Sequence, residues 1–183
     1  MRTAFKEWAV VVDALEQGTQ NLILRKGGLA EGPGGFRPEH ERFLLFPTRF
    51  HQQQEQVIPA AQQRFNELLP NLAPSETVRI TSWAVVVSWR KLTTLAEAEA
   101  LNGRHIWRDS VIAERFDWGR ESAIYALNLQ VFRLPTPWIG PLLPAYGGCK
   151  SWVELAVDLP TEGSVPVVAR CSGGPNGGAD AVR

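Results

Sequence analysis

The composition is that of one globular domain without a strong electrostatic bias. The chain has 183 residues, of which 44% are hydrophobic and 21% charged, and such a chain can bury a sizeable core. Its 19 lysine and arginine residues balance 19 aspartate and glutamate residues. This balance excludes a general attraction to DNA, RNA or anionic membranes, so a partner of that kind must be recognised by a local basic patch.

The cysteines and the apolar runs indicate a cytoplasmic protein. Cys149 and Cys171 do not form a C-x-x-C pair, and their spacing does not indicate a disulfide framework. The N-terminal segment lacks the apolar stretch of a signal peptide, and no run approaches the roughly 18–20 apolar residues that span a bilayer. We therefore expect a cytoplasmic protein that has no membrane partner.

The N-terminal segment has the periodicity of an amphipathic helix. Apolar residues from Phe5 to Leu15 recur at helical spacing, which predicts a helix over residues 3–17. Gly18 would follow it as the residue that ends the helix in a left-handed conformation. The β-branched run Val10–Val12 leaves a β-hairpin that turns at Gly18 as the alternative.

Two strands and a second helix follow in the predicted order. Short apolar runs predict strands over 21–26 and 42–46, and Pro47 would end the second of them. A helix is predicted over 53–69. It contains Pro59, so it either begins there, with proline in its first turn, or is kinked at that residue.

The second half of the chain contains two long strands. Alternation predicts strands over 77–89 and 122–134, and the first becomes apolar on both faces, which is typical of a central strand. Helices are predicted between them over 95–101 and 107–117. The prolines from Pro135 to Pro144 predict an extended crossing after the second strand.

These elements predict a single α+β domain over residues 1–159. Its mixed or antiparallel sheet would end with a short strand over 151–156, and about three helices would cover one or both faces of the sheet. Residues 160–183 are small, glycine-rich and weakly hydrophobic. They are therefore predicted to form a flexible, disordered tail.

Several short motifs together resemble a prokaryotic family known as domain of unknown function 1802. The similarity covers about residues 3–158, and one departure is Thr48, where we expect a tyrosine. The motifs that carry it are Lys6-Glu-Trp8, Ala14-Leu-x-x-Gly18, Leu24-Arg-Lys-Gly-Gly28, Phe43-Leu-Leu-Phe-Pro47 with His51-Gln52, Arg115-Phe116, Leu134-Pro135 and Tyr146-Gly-Gly-Cys-Lys-Ser-Trp-Val-Glu-Leu155. The resemblance implies no activity. Members found beside restriction-endonuclease-type domains imply a link to restriction–modification or nucleic-acid processing.

The run Arg25-Lys26-Gly27-Gly28 is a candidate anion-binding turn. A glycine turn at the end of a strand exposes backbone N–H groups next to two cations, and this combination suits a phosphate group. Lys150 follows a second Gly-Gly turn and could face the first one. The spacing is not that of a P-loop. The alternative is a basic pair that caps an exposed strand end.

Glu39, His40 and His51 form a candidate acid–base group. The two histidines lie on either side of a predicted strand, so they could converge at one end of the sheet and transfer protons together with Glu39. Their spacing lacks the i, i+4 pattern of a metal site, so no metal is predicted. The alternative is a solvated His40 in a loop and a His51 that caps the next helix.

The segment Tyr146–Trp152 is the candidate second half of this site. A lysine beside Cys149 can activate a thiol, but packing of this small residue under Trp152 is the favoured interpretation. The stretch Leu22–Gln52 and the segment Tyr146–Trp152 would form one site if the fold brings them together, which the sequence alone does not determine. The tryptophans are expected in the core and at its rim, with base stacking as the alternative role for some of them.

The first functional hypothesis is a nucleic-acid- or nucleotide-associated protein whose polar site binds phosphate. Its partner would be a nucleic acid or a phosphorylated small molecule, and no cofactor can be named. The alternative is a non-enzymatic interaction or accessory module, and an enzyme that uses the histidine pair on a small molecule is a third hypothesis. No E-x-K or D-x-K triplet, G-x-S-x-G elbow or dinucleotide fingerprint is present.

Overall fold

The computed structural model describes residues 1–26, 40–49, 54–72, 74, 76–119 and 121–170, which form one mixed sheet and four α-helices. The strands are β1 (Thr3–Trp8), β2 (Leu22–Arg25), β3 (Arg42–Thr48), β4 (Thr77–Leu92), β5 (Ile124–Pro141), β6 (Trp152–Glu154) and β7 (Val165–Pro166). The helices are α1 (Ala9–Glu16), α2 (Pro59–Leu68), α3 (Leu95–Glu99) and α4 (Asp109–Asp117). The predicted α+β class, with its mixed sheet and helical cover, is confirmed.

The sheet has the order β2–β5–β4–β3–β1–β6, and β7 pairs with β5. β1 and β3 are parallel, whereas the other pairings are antiparallel. The two outer strands β2 and β6 nevertheless approach each other, because Arg25 at the end of β2 donates from Nη2 to Ser151 Oγ, 3.0 Å away, just before β6. The sheet therefore curves far enough to bring its two ends side by side.

The helix predicted over 3–17 is wrong for its first half. Residues Thr3–Trp8 form β1, which pairs with β3 on one side and β6 on the other, and only Ala9–Glu16 is helical. Helical spacing and strand alternation cannot be told apart over so few residues, and pairing with two partner strands decides the outcome. Gly18 has a φ of +69°, as expected for the residue after the helix.

Prolines do not end the strands where the sequence suggested. β3 continues through Pro47, because its ladder with β4 ends at Leu44 and the missing N–H is not needed on that side. β5 continues past its predicted end at 134. Pro135 and Pro137 lie in it where the register with β4 shifts, so no ladder bond requires their N–H groups.

The predicted helices differ mainly at their ends. α2 begins at Pro59, which selects the first of the two alternatives, and α3 ends at Glu99, two residues before its predicted end. Thr94 caps α3 in a capping box with Glu97. α4 begins at Asp109, whose preceding residue Arg108 provides no side-chain cap.

The residues after 159 are partly integrated into the domain. Val167 N donates to Val131 O at 2.9 Å, and Arg170 N donates to Gly18 O at 2.7 Å. A Cβ atom on Gly18 would lie 2.2 Å from the carbonyl oxygen of Val168, so only glycine fits under this segment. Residues 160–170 therefore pack on β5 and on the end of α1, although the sequence assigned them to a tail, and residues 171–183 lie outside the described part.

The hydrophobic core has two parts on opposite faces of β1 and β3. Phe5, Phe43 and Leu45 belong to the larger cluster, which the helices cover, whereas Ala4 and Leu44 belong to the smaller one. Alternate residues of a strand point to opposite faces, so both faces of these strands are buried. This double burial holds β1 and β3 firmly beside the junction of β2 and β6.

Candidate functional site

The two segments that the sequence identified meet where the ends of the sheet close. Arg25 Nη2 donates to Ser151 Oγ at 3.0 Å, and the carbonyl oxygen of Ser151 accepts a hydrogen bond of 2.9 Å from Lys6 N in β1. We name this junction the β2–β6 seam and define it by Lys6, Arg25, Lys150 and Ser151. The seam joins the end of the Leu22–Arg25 strand to the segment Tyr146–Trp152.

Three cations converge at the seam. Lys6 Nζ donates to Tyr146 O at 2.9 Å and to Gly148 O at 2.8 Å, which holds the loop that carries Lys150 against β1. Burial lowers the pKa of Lys6, and the positive charges of Lys150 and Arg25 lower this pKa as well. Lys150 lies in the loop that Lys6 binds, and Arg25 binds Ser151, the residue that follows Lys150.

A buried carboxylate lies beneath these cations. The side chain of Glu7 is 0% exposed, and its Oε2 lies 3.7 Å from Arg25 Nη1. Its Oε1 accepts a hydrogen bond of 2.8 Å from Trp8 N. Oε2 has no hydrogen-bond partner among the described residues, so the ion pair with Arg25 is its main compensation.

Arg115 adds a further cation on the inner side of Glu7. Its guanidinium lies 4.9 Å from the ring of Trp8 and 4.8 Å from that of Trp107, and Nη1 donates to Leu24 O at 3.0 Å. Burial lowers the pKa of Arg115 to about 10, and the charge of Glu7 raises it. Arg115 thus stays protonated at neutral pH. The seam and the layer beneath it hold more positive than negative charge.

His40 lies beside the seam, and the rest of the predicted acid–base group is not described. The His40 ring makes an edge-to-face contact with Trp152 at 4.9 Å between centroids, and Trp152 packs in turn on Phe5 and Phe43. Glu39, His51, Gly27 and Gly28 lie outside the described residues. A role for Glu39, His40 and His51 in proton transfer therefore stays a prediction.

The ammonium group of Lys26 binds the C-terminal end of α4. Its Nζ donates to Phe116 O at 2.6 Å and to the carbonyl oxygen of Glu121. Burial lowers the pKa of Lys26, the charges of Glu121 and Asp117 raise it, and that of Lys91 lowers it. Because a cation is favoured near the C-terminal end of a helix, we interpret Lys26 as a residue that stabilises the end of α4.

An aromatic surface borders the seam on the β5 side. Arg25 pairs in register with Tyr125, and Tyr125 pairs with Lys91 of β4, whose Nζ lies 5.9 Å from the tyrosine ring. The ring of Trp89 lies 6.0 Å from that of Tyr125 and is 44% exposed. Trp118 is 58% exposed. The other tryptophans discussed from the sequence are buried or half-buried.

A second region, a cleft beside α1, was not predicted from the sequence. A cavity of about 730 Å³ lies between α1, the first turns of α2 and residues 102–109, and we name it the His105 cleft. His105 is 4% exposed, and burial lowers its pKa. His105 carries no recognisable motif, so only the position of its loop in the fold identifies the cleft.

Two further features concern metals and membranes. The described part of the chain contains no group of three or more His, Cys, Asp or Glu side chains that could hold a metal ion. None of its helices combines the length and the apolar composition that crossing a membrane would require.

Comparison with known proteins gives a family and a distant structural similarity. The family described as Domain of unknown function (DUF1802) matches residues 4–171. No curated protein matches the chain in sequence. The crystal structure of ASCH from Zymomonas mobilis is similar with a TM-score of 0.41 and 11% identity, over 69% of this chain and 65% of that chain.

Structures of two mutants of the same ASCH protein are also similar. One has a TM-score of 0.48 and 16% identity over 84% of this chain and 88% of that chain. The other has a TM-score of 0.41 and 12% identity over 69% and 66%. The chain thus spans slightly less than two thirds of the length of ASCH and of one mutant, and at these scores the similarity assigns no activity.

Proposed function

The chain belongs to the family of domain of unknown function 1802, and we propose that it is a nucleic-acid-associated protein whose β2–β6 seam binds phosphate groups. The convergence of Lys6, Arg25 and Lys150 is the observation that carries this proposal. A chain with no net charge concentrates cations at this junction, and an anion placed there would relieve their mutual repulsion.

The cations of the seam keep hydrogen-bond donors for a ligand. An ammonium group has three donors, and Lys6 uses two of them on the carbonyl oxygens of Tyr146 and Gly148. The guanidinium of Arg25 has five donors, of which one binds Ser151. Lys150 is exposed and makes no hydrogen bond or ion pair with another described residue. Each can therefore contact a phosphate oxygen without leaving its present position.

The arrangement favours a fixed anion site over a mobile basic tail. Lys6 and Arg25 are held at the bases of their side chains by strands that are buried on both sides. Their remaining donors are pre-oriented by the bonds that they already make, which lowers the entropic cost of binding. Phosphate groups are the anions that a pair of lysines and an arginine fork recognise well.

The neighbouring aromatic surface supports a nucleic acid rather than an isolated phosphate. Trp89, which is 44% exposed, packs near the buried Tyr125, which follows Arg25 across the sheet, and Lys91 Nζ lies 5.9 Å from the tyrosine ring. Exposed aromatic rings beside cations stack on unpaired bases while the cations contact the backbone. We therefore propose that single-stranded nucleic acid, which offers unpaired bases, is the preferred form.

Fluorescence anisotropy with labelled oligonucleotides tests this function. Single-stranded and double-stranded RNA and DNA would be titrated with the protein at about 50 mM salt and at increasing salt. We expect binding to single strands, with an affinity that falls as the salt concentration rises. Lys150→Glu should weaken binding about tenfold, because it replaces a phosphate contact by a repulsive charge.

Arg79→Glu provides the matched control. Arg79 is exposed on β4, lies outside the seam and makes no ion pair with another described residue, so the same charge reversal should change binding much less. Equal effects of Lys150→Glu and Arg79→Glu would contradict a seam-specific site. Absence of binding to any oligonucleotide at low salt would reject the function and favour the accessory module, whose self-association size-exclusion chromatography can measure.

A further inference from the structure

The His105 cleft is a second cavity whose features the proposed nucleic-acid surface does not explain. Its volume of about 730 Å³ falls within the range of small-molecule sites. Four parts of the chain line it: α1 with the turn that follows it, the beginning of α2, the loop that leads into α4, and Arg170 of the C-terminal segment. The apolar side chains of its wall are Val10, Ala14, Ile58, Ala61, Ile106 and Trp107.

Two buried polar groups line this cavity without a partner. Neither ring nitrogen of His105 has a hydrogen-bond partner among the described residues, and the same is true of Trp107 Nε1. His105 is 4% and Trp107 is 1% exposed, so water does not compensate freely for the missing bonds. Polar groups buried in this way are rare, and a bound molecule is one of the few arrangements that satisfy them.

Asp13 and Arg64 pair with each other at the rim, whereas Asp109 and Arg170 lie there exposed to solvent. Arg64 donates from Nε and Nη2 to the two carboxylate oxygens of Asp13, with both distances 2.8 Å, and Nη1 donates to Glu67 at 3.0 Å. Among the described residues of the buried wall there is no unpaired cation, because Arg64 pairs with Asp13 and Arg170 is exposed at the rim. The ligand of the cleft is therefore expected to be uncharged.

The protonation state of His105 determines which hydrogen-bonding groups a ligand must present to it. Burial lowers the pKa of His105, and the main chain of Trp107 lies close enough to oppose this shift without reaching hydrogen-bond geometry. The imidazole is thus neutral at neutral pH and offers one N–H donor and one acceptor. A molecule with apolar faces and a polar edge that carries both an acceptor and a donor complements this wall.

We propose that the His105 cleft binds an uncharged, flat heterocyclic compound of the size of a nucleoside, with its polar edge directed at His105 and Trp107. Apolar faces pack against Val10, Ile58 and Ile106 on the two sides of the cavity. Protein atoms cover the ring nitrogens of His105. Binding therefore moves the side chain or the 102–107 loop by a small distance. Gly103, at φ +81° and with open space around it, gives that loop room.

Binding of four nucleosides would test the proposal directly. Adenosine, guanosine, cytidine and uridine would each be titrated against the protein, followed by ligand-detected nuclear magnetic resonance and by the fluorescence of Trp107 and its neighbours. We expect at least one of them to bind with a dissociation constant below about 1 mM, which is the range of simple small ligands. Failure of all four to bind would overturn the proposal.

An occluding variant separates the cleft from the rest of the surface. Ala60 is exposed and lines the cavity, so Ala60→Trp should fill the cleft without disturbing the core and weaken nucleoside binding at least about tenfold. Gln63→Trp places the same bulky group on an exposed position of α2 outside the cavity and should leave binding unchanged. Unchanged affinity in Ala60→Trp would overturn the proposal.

A second variant tests the polar edge. His105→Phe keeps a ring in the wall and removes both nitrogens, so it should weaken nucleoside binding about fivefold to tenfold and leave the binding of naphthalene unchanged. An equal loss for both ligands would indicate a collapsed cleft and contradict the hydrogen-bonding role. Lys150→Glu should leave nucleoside binding intact, so failure at this cleft and failure at the seam can be told apart.

Discussion

The seam and the His105 cleft differ in how their buried polar groups are compensated. At the seam, Glu7 is fully buried but faces Arg25, and Lys6 is partly buried but bonded to two carbonyl oxygens. In the cleft, His105 and Trp107 are equally buried but lack partners within the described residues. The seam has an excess of positive charge above one buried carboxylate, whereas the cleft has its charged groups at the rim and two unpartnered polar side chains in its buried wall.

Because of this difference, we expect the two regions to bind different classes of ligand. Lys6 and Arg25 at the seam have donors that none of the hydrogen bonds described above uses, and we propose that an anion binds them. We propose that a neutral molecule that enters the cleft satisfies its unpartnered polar groups. A single protein can therefore have an electrostatic surface for a polymer and a separate pocket for a small heterocycle.

Removal of the buried carboxylate should have the largest effect on stability. Glu7→Gln keeps the shape of the side chain but leaves Arg25 and Arg115 without their counter-charge, so we expect a loss of about 3 kcal/mol in the free energy of unfolding. Urea denaturation followed by tryptophan fluorescence measures this loss. Glu41→Gln, at an exposed position, is the control and should change stability by less than about 0.5 kcal/mol. Equal stabilities of the two variants would show that the charge of Glu7 does not compensate the charges of Arg25 and Arg115.

The ion pair between Arg64 and Asp13 at the rim of the cleft should contribute less to the free energy of unfolding than Glu7 does. Arg64→Ala removes the bidentate pair with Asp13, but the Arg64 side chain is 42% exposed, so solvent screens the interaction. We expect a loss of about 1 kcal/mol, and Arg64→Lys should recover only part of it because an ammonium group cannot bind both carboxylate oxygens. Full recovery by lysine, measured by the same denaturation, would contradict the geometry described for this bridge.

The unpartnered histidine should make stability depend on pH. Burial lowers the pKa of His105 below its ordinary value of 6.5, so the unfolded chain binds a proton more readily than the folded protein does. The contribution of neutral His105 is thus complete above the unfolded pKa and is lost as pH falls below 6.5 toward the folded value.

The variant His105→Phe isolates this contribution. Unfolding free energies of wild type and His105→Phe would be compared at several values between about pH 7.5 and pH 5.5. The wild type should lose more stability than the variant over this interval. Asp109 raises the pKa of His105, whereas Arg115 and Arg104 lower it, and none of the three is changed in the variant. Parallel curves would show that His105 is partnered in solution.

The outer cation of the seam should affect binding without affecting stability. Lys150 is exposed, so Lys150→Ala should change the free energy of unfolding by less than about 0.5 kcal/mol. The same variant should reduce the slope of log affinity against log salt by about 1, the value for one lost phosphate contact. A destabilised variant with an unchanged salt slope would assign Lys150 a structural role.

The sequence indicated the two glycine-containing segments as candidate halves of one site, but neither their approach nor the charge network beneath them was predictable. Short apolar runs next to Arg25 and Ser151 identified strand ends, and strand ends are where loops meet. Glu7 lies within the first half of the helix predicted over 3–17, where the structure has the strand β1. Its burial follows from pairing of Thr3–Trp8 with β3 and β6, which lie about 40 and 150 residues away in the chain.

The cleft could not be predicted for a different physical reason. An unfilled space is a property of several elements together, and His105 differs from a solvated loop histidine only through what packs around it. Arg115 was noted only within the motif resemblance, since its stacking on Trp8 and Trp107 requires α4 to lie against α1 and β2. Local pattern therefore indicated the ends of the strands, and tertiary packing determined which polar side chains became buried.

Chemical-shift mapping with a single-stranded oligonucleotide tests the central claim most directly. Isotope-labelled protein would be titrated at low salt, and the backbone amide signals that move would be assigned. Binding at the seam should move the amides of Lys6, Arg25 and residues 147–152 first and leave those of residues 102–109 nearly unchanged. Shifts confined to residues 102–109, or none at saturating oligonucleotide, would contradict the assignment of nucleic-acid binding to the seam.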